Sequence, residues 1–301
     1  MSDLRKAYCG RARLALAAVF VVTLFIAARS ALGADGRWLS AGASGLEVTP
    51  AIIQKELGRF LWLPDTRVGQ VNVVNHGTVP VVLDFRIMGI AHAEDGSIDV
   101  LPCPPEVAAA LILSPAGPVT VTPGRAATVR LELNRAYANK PDRSGLCAAL
   151  IISSAPVRSG LAQQGLQVGS KIVLPVMVKL SWRDRARLVV VDARAEGTST
   201  ENDRPTLAVR VANEGGAYAR VDGRVFIATA DGSRVAQAQV EPALALPGCV
   251  RAFRVELPCP ELPPGHYLAD VQLRADGKAA GGAKFALEVG LGITVSSPGR
   301  P

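Results

Sequence analysis

Apolar and polar residues alternate along most of this chain after residue 34. The alternation is clear in VNVVNHGTVPVVLDF (71–85), where Asn75-His76-Gly77 interrupts it, and again in LAVRVANEGGAYARVDGRVFI (207–227). A period of two indicates a β-strand with one face in a core and the other in water, and Asn-x-Gly supplies positive-φ residues for a turn. Each stretch therefore predicts a strand, a turn and a second strand.

The same order of elements occurs twice in the chain. PGRAATVRLEL (123–133) matches PGCVRAFRVEL (247–257): in both, Pro-Gly and four residues precede apolar-Arg-apolar-Glu-Leu. GLCAALI from Gly145 then corresponds to GHYLADV from Gly265, each a glycine followed by an alternating strand. Gly and Pro separate the elements, and this repetition indicates two copies of one architecture.

Many short alternating strands with regular turn signals are typical of antiparallel sandwiches. The sequence predicts an all-β fold with two immunoglobulin-like β-sandwich domains, residues 35–185 and 186–290, and a loose tail over 291–301. Helical periodicity is scarce, and only PPEVAAALIL, from Pro104, predicts one turn of helix.

The first 34 residues have the layout of a secretory signal peptide. Basic residues precede an uncharged apolar run, Leu14–Ala28, and small residues follow it around Gly33 and Ala34. We expect cleavage there and an exported, periplasmic location; an uncleaved anchor is the alternative, although the run is short for a span of about 20 residues. No second run of that length occurs, which predicts no stable membrane insertion after cleavage.

The signal segment accounts for much of the formal charge of +7. Without residues 1–34, 28 basic and 25 acidic residues remain, a net charge of +3. Both signs are scattered, and three Trp and four Tyr offer little for base stacking. We therefore expect no nucleic-acid partner.

Export would leave four cysteines in an oxidising compartment, Cys103, Cys147, Cys249 and Cys259, which allow three pairings. Two cysteines lie in each half of the chain, and this favours a disulfide between Cys103 and Cys147. The eleven residues from Cys249 to Cys259 resemble a strand, and the ten residue steps between the two cysteines would span about 33 Å when extended, far beyond disulfide reach. The pairing of these two stays open.

The sequence contains no catalytic constellation. His76, His92 and His266 lie in or beside predicted turns or strand starts, without the spacing of a metal site. NHG and AHAEDG could supply metal ligands, but Asp95-Gly96 is also a routine hairpin turn, which we favour. Neither a Gly-x-Ser-x-Gly elbow nor a Walker loop is present. We predict a protein that is not an enzyme and that binds no metal or cofactor.

Five strand phrases follow one another in the first domain, over residues 46–183: LEVTPAII, VNVVNHGTVPVVLDFRI, VTVTPGRAATVRLEL, DRSGLCAALIISS and KIVLPVMVKLSWR. In this order they resemble the strands of the PapD-like periplasmic pilus-assembly chaperones. VKLSWR is similar to the family's Lys-Leu-aromatic-aromatic-Arg ending of the last strand. The second domain resembles only generic bacterial immunoglobulin-like modules.

The resemblance implies a partner-binding strand at residues 168–180. In those chaperones a lysine and a first-strand arginine hold the C-terminal carboxylate of a pilus subunit, and alternating apolar residues of the last strand complete the subunit's sandwich. Lys179 matches the lysine, and Val168, Ile172 and Leu174 match the donated apolar positions. Ile52 stands where the family has the arginine.

Two functions follow as expectations. The first is a non-enzymatic exported chaperone for pilus or surface-fibre subunits, acting by strand donation. The alternative is an envelope structural or adhesive module, in which Lys179 is a solvated strand lysine and Leu174 belongs to an ordinary core.

Overall fold

The computed structural model describes residues 39–41, 45–60, 63–139, 145–157, 169–180, 185–198, 205–257, 262–289 and 293–296. The predicted signal peptide, residues 1–34, lies outside these ranges. None of the helices within them has the length and hydropathy needed to cross a bilayer.

The first half of the chain folds into a sandwich of two sheets. Its elements are β1 (Leu39–Ala41), β2 (Leu46–Thr49), β3 (Ile53–Leu57), β4 (Arg59–Phe60), β5 (Leu63–Pro64), β6 (Arg67–Asn75), β7 (Val81–His92), β8 (Ile98–Leu101), α1 (Pro105–Ala110), β9 (Leu111–Ser114), β10 (Val119–Val121), β11 (Ala126–Leu133), α2 (Arg135–Asn139), β12 (Leu146–Pro156) and β13 (Ser170–Leu180). One sheet has the order β1-β2-β6-β11-β9. The other has the order β10-β7-β12-β13-β3, and β8 also pairs with β7. The helical turn predicted after Pro104 is α1.

The second half forms a second sandwich from β14 (Leu188–Thr198), β15 (Pro205–Asn213), β16 (Ala219–Thr229), β17 (Arg234–Ala245), β18 (Val250–Glu256), β19 (Gly265–Ala275), β20 (Lys278–Val289) and β21 (Ile293–Ser296). Its sheets have the orders β14-β15-β18 and β17-β16-β19-β20-β21. The segment predicted as a loose tail, 291–301, contains β21, which pairs antiparallel with β20. The short alternation in ITVS therefore adds an edge strand to the second sandwich.

The fold is all-β with two immunoglobulin-like sandwiches, which confirms the predicted class. Alternate residues of the strands face inward in each half: β11 alternates exposed and buried residues over its whole length. Two separate cores result, one drawn from residues 46–180 and one from 188–289. The boundary predicted after residue 185 falls between these cores.

The two Asn-x-Gly turns are built alike. Asn75 and Asn213 are both buried, and each side-chain amide donates to two backbone carbonyls. Each Oδ1 accepts from the backbone N–H two residues on, at 2.9 Å for Gly77 and 3.1 Å for Gly215. Neither glycine has a positive φ. The predicted turns are present, but the expectation of positive φ was wrong because the asparagine side chain closes the turn.

The positive-φ glycines of the repeat lie instead in its Pro-Gly pairs. Gly124 and Gly248 both have φ of 71°. Their N–H groups donate to the backbone carbonyls of Asn75 (2.7 Å) and Asn213 (2.8 Å). Each Pro-Gly turn is therefore hydrogen-bonded to the asparagine turn of its own domain, and this contact explains why both features recur in the two halves.

Candidate partner-binding site

Strand β13, the strand singled out in the sequence, has a partly open edge. It pairs with β12 from Ser170 to Val178, and on its other side it pairs in parallel with β3 only from Val176 to Leu180. Among the described residues, nothing pairs with the second edge of Ser170–Pro175. Unpaired N–H and C=O groups on such an edge can take up another strand.

The predicted apolar positions of β13 belong to the first domain's own core. Leu174 is completely buried there, and Ile172 packs against it from a half-buried position. Val168 lies outside the described residues. The structure thus places Leu174 as the alternative interpretation expects, and its contact with a partner remains a prediction.

Lys179 faces the second domain, on the side of β13 opposite Leu174. Its Nζ lies 2.6 Å from Oδ2 of Asp276 and 4.5 Å from the ring centroid of Tyr218. Only 16% of its side chain is exposed, so it is not a solvated strand lysine. Because an ammonium packed over an aromatic face is partly desolvated, its pairing with a carboxylate is stronger than at an open surface.

A small apolar cluster joins the domains beside Lys179. Met177, Tyr218 and Leu246 are buried in it, and half-buried side chains pack against them: Ile52, Ile90, Cys147, Leu244 and Cys249. We call these eight residues the junction cluster. It takes up Ile52, the residue at the family's arginine position. Lys179, the other position that the resemblance implied for a carboxylate clamp, pairs with Asp276 of the second domain.

The cysteines differ from the predicted pairing. No disulfide joins Cys103 to Cys147 in the structure. The reason is side-chain direction, because Cys147 projects from β12 into the junction cluster, where Cys249 also packs. Burial raises the pKa of the Cys103 thiol. Cys259 lies outside the described ranges.

The β7–β8 hairpin forms a second, polar contact between the domains. The side chain of Glu94 pairs with Arg210, which also bonds Asp192 at 2.9 Å. The backbone carbonyl of Glu94 accepts from the N–H of Ala252 at 2.7 Å. The sequence does not indicate this contact, because the residues of the hairpin predict only a turn.

A half-buried histidine lies at the same contact. His92 ends β7, and burial, followed by the nearby Arg251 guanidinium, lowers its pKa from 6.5. Burial likewise lowers the pKa of Arg251. Asp95, the remaining charged neighbour, accepts hydrogen bonds from the N–H and hydroxyl of Ser97 and closes the turn between β7 and β8. AHAEDG thus forms the predicted turn.

Within the described ranges, no group of three or more His, Cys, Asp or Glu side chains is placed to hold a metal ion. The described residues of the site offer a strand edge, one partly buried ammonium and an apolar junction. Such an arrangement suits binding of an extended segment with a carboxylate near one end.

No family model matches the chain, and no curated protein matches it. Among solved structures it is similar to the class 5 fimbriae chaperone CfaA (10% identity, TM-score 0.40, 84% of this chain and 99% of that one). It is also similar to the E. coli chaperone DraB (14%, 0.34, 81% and 98%). A third similar chain comes from the complex of the Salmonella enterica SafA pilin with the SafB chaperone (12%, 0.36, 80% and 96%).

At such identities and TM-scores, similarity by itself establishes neither family nor activity. The three are a fimbriae chaperone, a chaperone of E. coli and a pilin–chaperone complex, and each is matched over 80% or more of this chain.

Proposed function

We propose that this chain is an exported, non-enzymatic chaperone that binds pilus or surface-fibre subunits along the open edge of β13. The observation that supports the proposal most strongly is the half-paired β13: β3 covers Val176–Leu180 and leaves Ser170–Pro175 with one edge open among the described residues. A subunit strand added there would gain main-chain hydrogen bonds to the chaperone.

The composition of this edge argues for selective binding. Lys171 is exposed and Pro175 has no N–H to donate, and both features discourage uncontrolled pairing of edge strands. A partner strand must therefore fit a defined set of donors and acceptors. A chaperone requires such selectivity, and an edge strand that paired with any exposed strand would lack it.

Lys179 lies at the far end of the same strand, within the part that β3 covers, opposite Glu56. A carboxylate reaching it would form a charge-assisted hydrogen bond beside the Tyr218 ring. This bond would fix the register of the added strand, since backbone pairing alone does not distinguish one register from the next.

The junction cluster favours a second candidate function, a rigid two-domain module of the cell envelope that donates no strand. Ile52 packs in this cluster, which contains residues of both domains, and Lys179 pairs with Asp276 of the second domain, as a spacer of fixed shape would require. The two functions differ in whether a co-expressed subunit is captured.

The test is co-expression of the chain with small exported subunits of the pilus or surface-fibre type, followed by purification and quantification of captured subunit. In Lys179→Met the side-chain stem still covers Tyr218 but the ammonium is gone. We expect this variant to lose about 2 to 5 kcal/mol of binding free energy, because the charge pair would be desolvated in the complex. Lys284→Met, at an exposed lysine of β20, is the matched control and should capture normally.

Thermal unfolding separates a binding defect from a folding defect. An ion pair with one partner about half exposed contributes about 1 kcal/mol or less, so Lys179→Met should melt within a few degrees of wild type. Undiminished capture by this variant would refute the role of Lys179. Absence of capture by the wild-type chain, together with a monodisperse free protein, would favour the spacer.

A further inference from the structure

The carboxylate that pairs with Lys179 sits on a rigid turn. Asp276 and Gly277 join β19 to β20 with φ of 50° and 80°, the positive values of a tight hairpin turn. The N–H of Asp276 donates to the carbonyl of Arg220 at 2.9 Å, and its Oδ1 accepts from the N–H of Arg220 at 3.0 Å. These two bonds leave Oδ2 directed at Lys179, 2.6 Å away.

The pair joins the two domains at the point where a partner's carboxylate would arrive. Asp276 belongs to the second domain and is 47% exposed, whereas Lys179 belongs to the first. A second carboxylate at Lys179 would stand beside the first, and two like charges that close repel each other. The incoming group must therefore displace Asp276 or bind more weakly.

We infer that Asp276 is an intramolecular competitor: it occupies Lys179 in the free chain and lowers the affinity for a partner's carboxylate until it is displaced. The inference rests on the proposed function, in which Lys179 holds such a carboxylate. Displacement also breaks a contact between the domains, so capture and loosening of the junction are coupled, and the coupling is reciprocal.

Asp276→Asn isolates the charge. Asparagine tolerates a positive φ and keeps an Oδ1 that can accept from Arg220, so the turn should persist. We expect this variant to capture about two- to fivefold more co-expressed subunit than wild type, the range given by a partly exposed ion pair. Asp222→Asn is the control, because Asp222 pairs with Arg274 at the same distance, 2.6 Å, but within the second domain.

A readout without any partner uses acetylation by N-hydroxysuccinimidyl acetate, quantified by mass spectrometry. Lys179 should react faster in Asp276→Asn than in wild type, and exposed Lys171 should react equally in both. Equal labelling of Lys179 in the two proteins would overturn the inference, because its ammonium would then not depend on Asp276.

The double variant Lys179→Met/Asp276→Asn separates failure of this inference from failure of the proposed function. If Asp276 acts through Lys179, its substitution changes nothing once the ammonium is gone. If Lys179→Met reduces capture while Asp276→Asn leaves it at the wild-type level, the clamp stands and the competitor is refuted. If Lys179→Met captures normally, the clamp itself fails, and the competitor fails with it.

Discussion

Replacing Asn75 by alanine should destabilise the first domain strongly. The side chain is fully buried, and its Nδ2 donates to the carbonyls of Val79 (2.9 Å) and Val121 (3.0 Å). Its Oδ1 accepts from the N–H of Gly77 at 2.9 Å. These bonds close the β6–β7 turn and attach it to β10, so alanine removes all three at once.

The size of the effect depends on which backbone groups water can reach afterwards. The Val121 carbonyl is in a buried bond, whereas the bonds of Val79 and Gly77 are only partly buried. An orphaned buried polar group costs about 1 to 3 kcal/mol, and the two partly buried groups add a smaller amount. We expect a total loss of about 2 to 4 kcal/mol, a large part of the 5 to 15 kcal/mol typical of a domain.

The matched control is Asn72→Ala on the same strand. Asn72 makes an exposed bond, accepting from the Thr128 hydroxyl at 2.8 Å, so its loss should cost less than about 1 kcal/mol. Because the two domains need not unfold together, denaturant melts should be followed by hydrogen exchange resolved by region. Surface substitutions usually change the free energy of unfolding by about 0.5 kcal/mol or less. If the loss for Asn75→Ala is within about 0.5 kcal/mol of the loss for the control, the argument is refuted.

Two further predictions concern the contact between the domains. A Cβ on Gly215 would lie 2.5 Å from a backbone nitrogen of the segment joining the domains, so Gly215→Ala should lower the free energy of unfolding by about 1 to 3 kcal/mol in chemical denaturation. The control Gly117→Ala has open space around it and should be nearly neutral. Equal costs for the two variants would contradict this prediction. Burial, followed by the charge of Arg251, lowers the pKa of His92 below 6.5, and Asp95 opposes this shift. The unfolded chain therefore binds the proton more readily than the folded chain. The free energy of unfolding should fall as pH decreases through about 6.5 and become constant below the pKa of the folded state. Unfolding curves of His92→Gln, measured between about pH 7.5 and 5.5, should lack this loss of stability; the window brackets the ordinary histidine pKa of about 6.5. An unchanged pH dependence in this variant would contradict the assignment to His92.

The strands and turns that depend on local sequence pattern could be predicted from the sequence alone. Strict alternation identified strands such as β6 and β11, and Pro-Gly marked the turns at Gly124 and Gly248. The detail of the asparagine turns was missed because Asn-x-Gly fits two mechanisms, a glycine at positive φ or an asparagine side chain that bonds the backbone. Only the burial of Asn75 and Asn213 distinguishes them.

The site could be predicted only in part. In the structure Lys179 and Leu174, five residues apart, lie on opposite faces of one strand, as a period of two requires. The partner of Lys179 could not be found, because Asp276 is 97 residues away and belongs to a routine Asp-Gly turn. Cys147 and Cys249 likewise come together only through the angle between the domains. The pattern of apolar and polar residues within either half does not determine that angle.

One change in the path of the chain explains both the open edge and the closed junction. The first long segment of the first domain is split: β2 pairs with β6 in one sheet, and after Pro50 the chain crosses to the other sheet as β3. Because β3 has only five residues, it covers only Val176–Leu180 of β13 and leaves the preceding half open. The same crossing places Ile52, immediately before β3, in the junction cluster. A strand added to the open half would therefore run directly toward the junction, where Lys179 and Asp276 lie, so edge pairing and domain contact are parts of one surface.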